Sequence, residues 1–146
     1  MDYRNFNGVY YIRADRGDEI ISCIHRVCEA EGIKSAVFSG IGGCSDAVIQ
    51  TFIPEKGEFE DERLDEGMLE LVSVNGNIIS GDGGELSHHA HAVFAFKRNG
   101  EHCVAGGHLK ETTVLYTAEI ELRPVVGGVI KKKYSPETGT GFWDFE

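Results

Sequence analysis

His89-Ala90-His91-Ala92-Val93-Phe94-Ala95-Phe96-Lys97-Arg98-Asn99-Gly100-Glu101-His102-Cys103-Val104-Ala105-Gly106-Gly107-His108 is the stretch on which the fold turns. Residues 89–96 make a β-like run, and Cys103-Val104-Ala105 is its returning partner. Asn99-Gly100 between them is the dipeptide that favours a two-residue hairpin turn, because both turn positions need positive φ. Side chains alternate along a strand. One side therefore carries His88, Ala90, Ala92, Phe94 and Phe96 and reads as the core face. The other carries His89, His91, Val93 and Ala95. Positions 91 and 108 are equidistant from the middle of the turn, so the hairpin predicts His91 and His108 as direct cross-strand neighbours, with His89 beside them.

Outward from this hairpin the chain continues in β-like stretches. Tyr3, Phe6, Val9, Tyr10, Tyr11 and Ile12 mark a strand over residues 3–13. Ala36-Val37-Phe38-Ser39 and Val48 through Ile53 read as two strands, the second stopped by Pro54, with Gly40-Ile41-Gly42-Gly43 as a tight turn between them. Met68 through Ile79 is a long run, ended by the loop Gly81-Asp82-Gly83-Gly84. Thr112 through Leu122 alternates polar and apolar residues. Only one segment has helical spacing: Ile20, Ile21, Ile24, Val27 and Cys28 share a face, with Asp18 and Glu19 at the positive end and Gly32 as the stop. The triplet Arg16-Gly17-Asp18 sits at that helix start and reads as a turn rather than an adhesion motif. The expectation is an α+β domain: a mostly antiparallel sheet, one main helix and room for a second short one.

The 146 residues suit one domain, 1–146, with a core over about 4–135 and a tail over 136–146. Hydrophobic residues at 41% and charged residues at 26% argue against disorder. No apolar run is long enough to span a membrane, and the N-terminus lacks a basic flank followed by an apolar stretch. Four cysteines, Cys23, Cys28, Cys44 and Cys103, read as reduced thiols of a cytoplasmic protein. The balance of 14 Lys plus Arg against 24 Asp plus Glu gives −10 at pH 7. Non-specific DNA binding draws on counterions released by Lys and Arg, so this composition disfavours nucleic acid as a partner, and anionic membranes as well. Gly40-x-Gly42-Gly43 is an incomplete dinucleotide pattern with no helix after it, so no pyrophosphate site is read there.

The histidines are the chemical signal. His89 and His91 project from one strand face and His108 comes back beside them. Zinc accepts three imidazole nitrogens with a fourth position open, so His89, His91 and His108 are the candidate metal ligands. His25, on the polar side of the helix, and His102, in the hairpin, read as structural. His88 faces away from the site, where it could reach a neighbouring subunit.

Several fragments occur in order: Phe38-Ser39-Gly40-Ile41-Gly42, Glu70 through Asn77, His89-Ala90-His91, Gly100, Gly106-Gly107-His108-Leu109 and Thr117-Ala118-Glu119-Ile120. Together they resemble the plants-and-prokaryotes-conserved domain in its stand-alone prokaryotic form. The resemblance implies a small α+β fold, a homotrimer, and a zinc site at His89, His91 and His108. Plant relatives join this domain to a basic AT-hook; the Arg-Gly-Arg-Pro core of such a hook is absent here, and Lys131-Lys132-Lys133 is the only basic run.

The reading expected from the sequence is a homotrimer that holds zinc or a similar divalent metal, with room for a small-molecule ligand near it. Two alternatives are a zinc-dependent enzyme acting on a small molecule and a DNA-binding protein by analogy with the AT-hook relatives. For the enzyme, Glu111 and Glu119 are the nearest general-base candidates, and no catalytic residue is assigned. An apolar alternation in which Met68, Glu70, Val72 and Val74 share one face of a strand predicts a second covered face, hence an oligomer.

Overall fold

The computed structural model describes residues 1–81 and 84–145. The chain runs β1 (Asp2–Phe6), β2 (Val9–Asp15), α1 (Ile20–Glu31), β3 (Ser35–Ile53), β4 (Glu58–Leu64), β5 (Leu69–Ser80), β6 (Leu86–Arg98), β7 (Glu101–Pro124), β8 (Lys131–Ser135) and β9 (Thr140–Asp144). Seven strands form one sheet in the order β1-β2-β7-β6-β5-β3-β4. Because β3 also pairs with β7, strands β7, β6, β5 and β3 close into a ring. β8 and β9 make a separate hairpin. Every pairing among the described strands is antiparallel. The α+β class expected from the sequence is what forms, with a single helix among the described residues; the second short helix does not appear.

One hydrophobic cluster fills the molecule. Phe94 from β6, Leu71, Val74 and Ile78 from β5, and Ile49 and Leu122 from β3 and β7 are fully buried. Ile20, Ile24 and Val27 of α1 join them from the helix side. The helix begins where Glu19 accepts hydrogen bonds from the Ile21 and Ser22 amides. It ends at Gly32, whose φ of 66° lets the Ile33 amide reach back to the Cys28 carbonyl.

The decisive hairpin forms in the expected register. Arg98 pairs with Glu101 and the ladder runs back to His91 opposite His108. Asn99 and Gly100 take φ of 53° and 84°, the conformation of a type I′ turn.

Elsewhere the structure corrects the reading. Residues 3–13 are not one strand but the hairpin β1–β2, turning at Asn7-Gly8 with the same positive φ values as Asn99-Gly100. Gly40-Ile41-Gly42-Gly43 is not a turn. It lies inside the continuous strand β3, at a bulge. A Cβ at Gly40 would stand 2.7 Å from the Glu119 carbonyl, and one at Gly42 2.7 Å from the Ala118 Cβ. These glycines let β3 lie against β7, which is a packing demand rather than a conformational one. The Cys103–Ala105 and Thr112–Leu122 runs are one strand, β7. Of the loop Gly81-Asp82-Gly83-Gly84, Asp82 and Gly83 lie outside the described residues, as does Glu146 of the tail.

All four cysteines are free thiols. Burial pushes Cys23 up to about 11 and Cys28 up to about 12, and raises Cys44 as well. A thiol held protonated is a poor nucleophile. Native protein is therefore expected to show one fast-reacting thiol per chain with a disulfide reagent, the partly exposed Cys103, and all four after denaturation. Fast modification of Cys28 in the folded protein would contradict this packing.

Candidate metal centre

His89 and His91 project from β6 and His108 from β7. Cross-strand pairing sets His91 opposite His108, and β5 flanks them with Asn75 beside His91 and Asn77 beside His89. On the far side of β7, Gln50 of β3 pairs with His108. One donor nitrogen from each of the three imidazoles lies within 4.8 Å of the other two. The ring centroids of His91 and His108 are 4.2 Å apart, and His89 is 5.0 Å from each. The structure thus brings together all three residues singled out in the sequence.

Two glycines precede His108 because strands crowd β7 from both sides. A Cβ at Gly107 would fall 2.6 Å from the Gln50 carbonyl, and one at Gly106 2.8 Å from the Ala92 carbonyl. Gly76 of β5 does the same behind His89, where a side chain would collide with the His89 carbonyl and the Phe38 ring. The backbone under the triad is therefore close-packed, while the imidazoles face outward.

Side walls come from segments whose role the sequence reading missed. On one side, Phe59 of β4 stands edge-to-face against His108 with ring centroids 5.0 Å apart, and against Phe52 with centroids 5.3 Å apart. Strand β4 has no apolar alternation to announce it; residues 58–64 are nearly all exposed and charged or polar. Asp61 on the same strand accepts from Lys110 at 2.6 Å and from Gln50 at 2.7 Å, bracing the two strands next to His108. On the other side, the β8–β9 hairpin folds back over the site. A cavity of about 170 Å³ lies there, lined by His89 and His108 together with Asn77, Lys132, Phe142 and Trp143.

Burial, and after it the neighbouring imidazoles, hold His89 and His108 below the ordinary histidine value. After burial, the groups that act on His89 are His91 and Lys132, and those on His108 are His91 and His89. No carboxylate is among them. Both rings are thereby kept neutral, the form that offers a nitrogen lone pair. Glu111 and Glu119 neither act on these rings nor line the cavity beside them; Glu119 faces a groove eleven positions along β7 with Ile41 and Tyr116. His88 turns to the helix side, where its Nδ1 is 3.1 Å from His25 Nε2. His102 stays in the hairpin opposite Lys97.

The Plants and Prokaryotes Conserved (PCC) domain matches residues 1–126. A plant- and prokaryote-conserved protein from Pyrococcus horikoshii is 33% identical with a TM-score of 0.81, over 99% of this chain and 94% of that one. A metal-containing protein from Archaeoglobus fulgidus is 28% identical with a TM-score of 0.79, over 97% of this chain and 96% of that one. A protein from Bacteroides thetaiotaomicron, called a "putative DNA binding protein", shares the fold at a TM-score of 0.85 and 22% identity, over 99% and 96% of the two chains. No curated protein matches the sequence.

Proposed function

The chain belongs to the Plants and Prokaryotes Conserved domain family, and we propose that it is a homotrimeric metal-binding module whose His89, His91 and His108 hold a zinc-like divalent ion. The observation that carries this reading is the convergence of three imidazole nitrogens within 4.8 Å on one strand pair. Tetrahedral zinc with bonds of about 2.0–2.1 Å sets its nitrogens about 3.4 Å apart. His89 and His91 are exposed and His108 is half-buried, so small side-chain rotations close that gap. The donor set is three neutral nitrogens without a carboxylate, a set that suits zinc, nickel or copper rather than magnesium or calcium. Such an ion would supply a Lewis-acid centre with a position left for a further ligand. The Archaeoglobus relative, called metal-containing, is consistent with this.

Support for assembly comes from a second region. Ile41, Val72 and Tyr116 are 56%, 52% and 67% exposed and share one groove with Met68. The Thr117 hydroxyl on that groove is buried without a hydrogen-bond partner among the described residues. An apolar groove of this kind suits a subunit contact, and the number three is the one implied by the family resemblance. Elemental analysis and sedimentation test the reading together. One ion per chain and a mass of about three times 16.0 kDa are expected; a metal-free particle at the single-chain mass would overturn it.

Metal retention has a pH signature. The folded-state values of His89 and His108 lie below the unfolded value of 6.5, so at pH 7.5 both rings are neutral in either state. As pH falls below about 6.5 the unfolded chain takes up protons first, and protons also displace the ion. Zinc content after dialysis is expected to be full at pH 7.5 and to decline through the range below 6.5, and the metal-free protein loses stability in the same direction. Retention that improves on acidification would contradict the assigned ligands.

DNA binding does not fit the charge balance. Fluorescence anisotropy with a random duplex at physiological salt should show no binding, even in the range of about 10⁻⁴–10⁻⁶ M where basic proteins bind non-specifically. Tight, steeply salt-dependent binding would require a basic face that a chain of net charge −10 supplies only at Lys131-Lys132-Lys133.

A further inference from the structure

The C-terminal hairpin gives the triad a second wall with its own chemistry. Lys132 of β8 pairs with Trp143 of β9. A Cβ at Gly141 would collide with the aliphatic stem of Lys132, so the stem crosses the hairpin over that glycine. From there Lys132 lines the cavity next to His89 and His108, and its charge acts on His89. No carboxylate among the described residues lies within ion-pair distance of Lys132. In a protein with ten excess negative charges, Lys132 puts a positive charge on this cavity.

Around the rest of the cavity, Asn77 presents an amide, Ser87 and Thr140 hydroxyls, Ile79 an aliphatic chain, His88 an imidazole, and Phe142 and Trp143 rings. An ion on three neutral imidazoles keeps both positive charges, and Lys132 adds a third. An occupant of this space therefore has to be anionic where it meets the ion and the lysine, and flat and apolar where it meets Trp143. At about 170 Å³, the space resembles the roughly 150 Å³ cavity known to accept benzene, so it holds a body of one ring.

We propose that the cavity between the histidine triad and the β8–β9 hairpin binds a small aromatic carboxylate, its carboxylate shared between the triad's ion and Lys132 and its ring against Trp143. The proposal rests on the metal reading of the triad. Lys132 and Trp143 select the ligand; the histidines hold the ion.

Trp143 is the single tryptophan of the chain, so its emission reports the cavity directly. The zinc-loaded full chain is titrated with benzoate, with benzamide (same shape, no charge) and acetate (same charge, no ring) as comparisons, and the zinc content of each sample is measured separately. Benzoate is expected to change Trp143 emission saturably. Benzamide, without the charge, should bind at least about tenfold more weakly, a loss on the scale of one charge-assisted hydrogen bond, and acetate, without the ring, should bind more weakly for want of the contact with Trp143. Lys132→Met should weaken benzoate by a similar factor at unchanged zinc content, and Lys132→Arg should restore it. Equal binding of benzoate and benzamide, or benzoate binding indifferent to Lys132→Met, overturns the proposal. One zinc per chain with no benzoate response overturns this proposal alone; absence of zinc overturns the metal reading and this proposal with it.

Discussion

His108→Ala is expected to leave the protein folded and without its metal. His108 sits on the outward face of β7 and is only half-buried, so its removal opens no core cavity. It does take one of three nitrogens from the site, and two imidazoles on one strand make a weak, open chelate. Loss of an outer partner of a metal ligand already costs about 10–100-fold in affinity; loss of a ligand itself should exceed that range. Calorimetric zinc titration checks it, with His102→Ala as a control outside the triad that keeps wild-type affinity. Equal melting temperatures of His108→Ala and wild type in chelator would show that only the site is lost. Full zinc occupancy in His108→Ala would mean that other residues hold the ion.

Aspartate at two neighbouring positions of β5 should give opposite failures. The alternation read from the sequence sets Val72 and Val74 on one face. The structure separates them: the register shifts between Leu71 and Ser73, so Val72 bulges outward at 52% exposure while Val74 is fully buried. Val74→Asp buries an unpaired carboxylate inside the ring of strands, a cost of several kcal/mol or more, set against a total stability of about 5–15 kcal/mol. No folded protein is expected, as read by circular dichroism. Val72→Asp places the same charge in the groove of Ile41 and Tyr116, where the monomer tolerates it and a subunit contact does not. Its spectrum should match wild type while its sedimenting mass falls to 16.0 kDa. An unchanged mass for Val72→Asp would remove that groove from the assembly.

The same dipeptide shows what the sequence could and could not say. Asn-Gly occurs at 7–8, 75–76 and 99–100. At 99–100 it separates two runs that pair at once, and the turn fixes the His91–His108 register by counting alone. At 7–8 it is also a turn, but the aromatic-rich residues on either side read as one strand and hide it. At 75–76 it is no turn: Val74 and Ile78 on either side are buried, Gly76 gives way to Phe38 and the His89 backbone, and the strand passes straight through. Local propensity decides only where no long-range partner competes.

The candidate site divides the same way. Its ligands were legible because they lie on adjacent strands joined by a two-residue turn, where period and register follow from local rules. Its walls were not. Phe59 reaches His108 through the pairing of β4 with β3, and Trp143 and Lys132 reach the cavity through a hairpin whose position over the triad depends on the closed ring beneath it. Phe142 and Trp143, near the end of the chain, line the cavity beside the triad. The glycine cluster at 40–43 was misjudged for a related reason: its cause is the backbone of β7, some 80 residues away in sequence.

X-ray absorption at the zinc edge, on protein purified without chelator, tests the central claim most directly. The account predicts about one zinc-like ion per chain, with three imidazole nitrogens at about 2.0–2.1 Å and a water oxygen completing the set. A sulfur shell, an all-oxygen shell, or protein that carries no ion at all would contradict it.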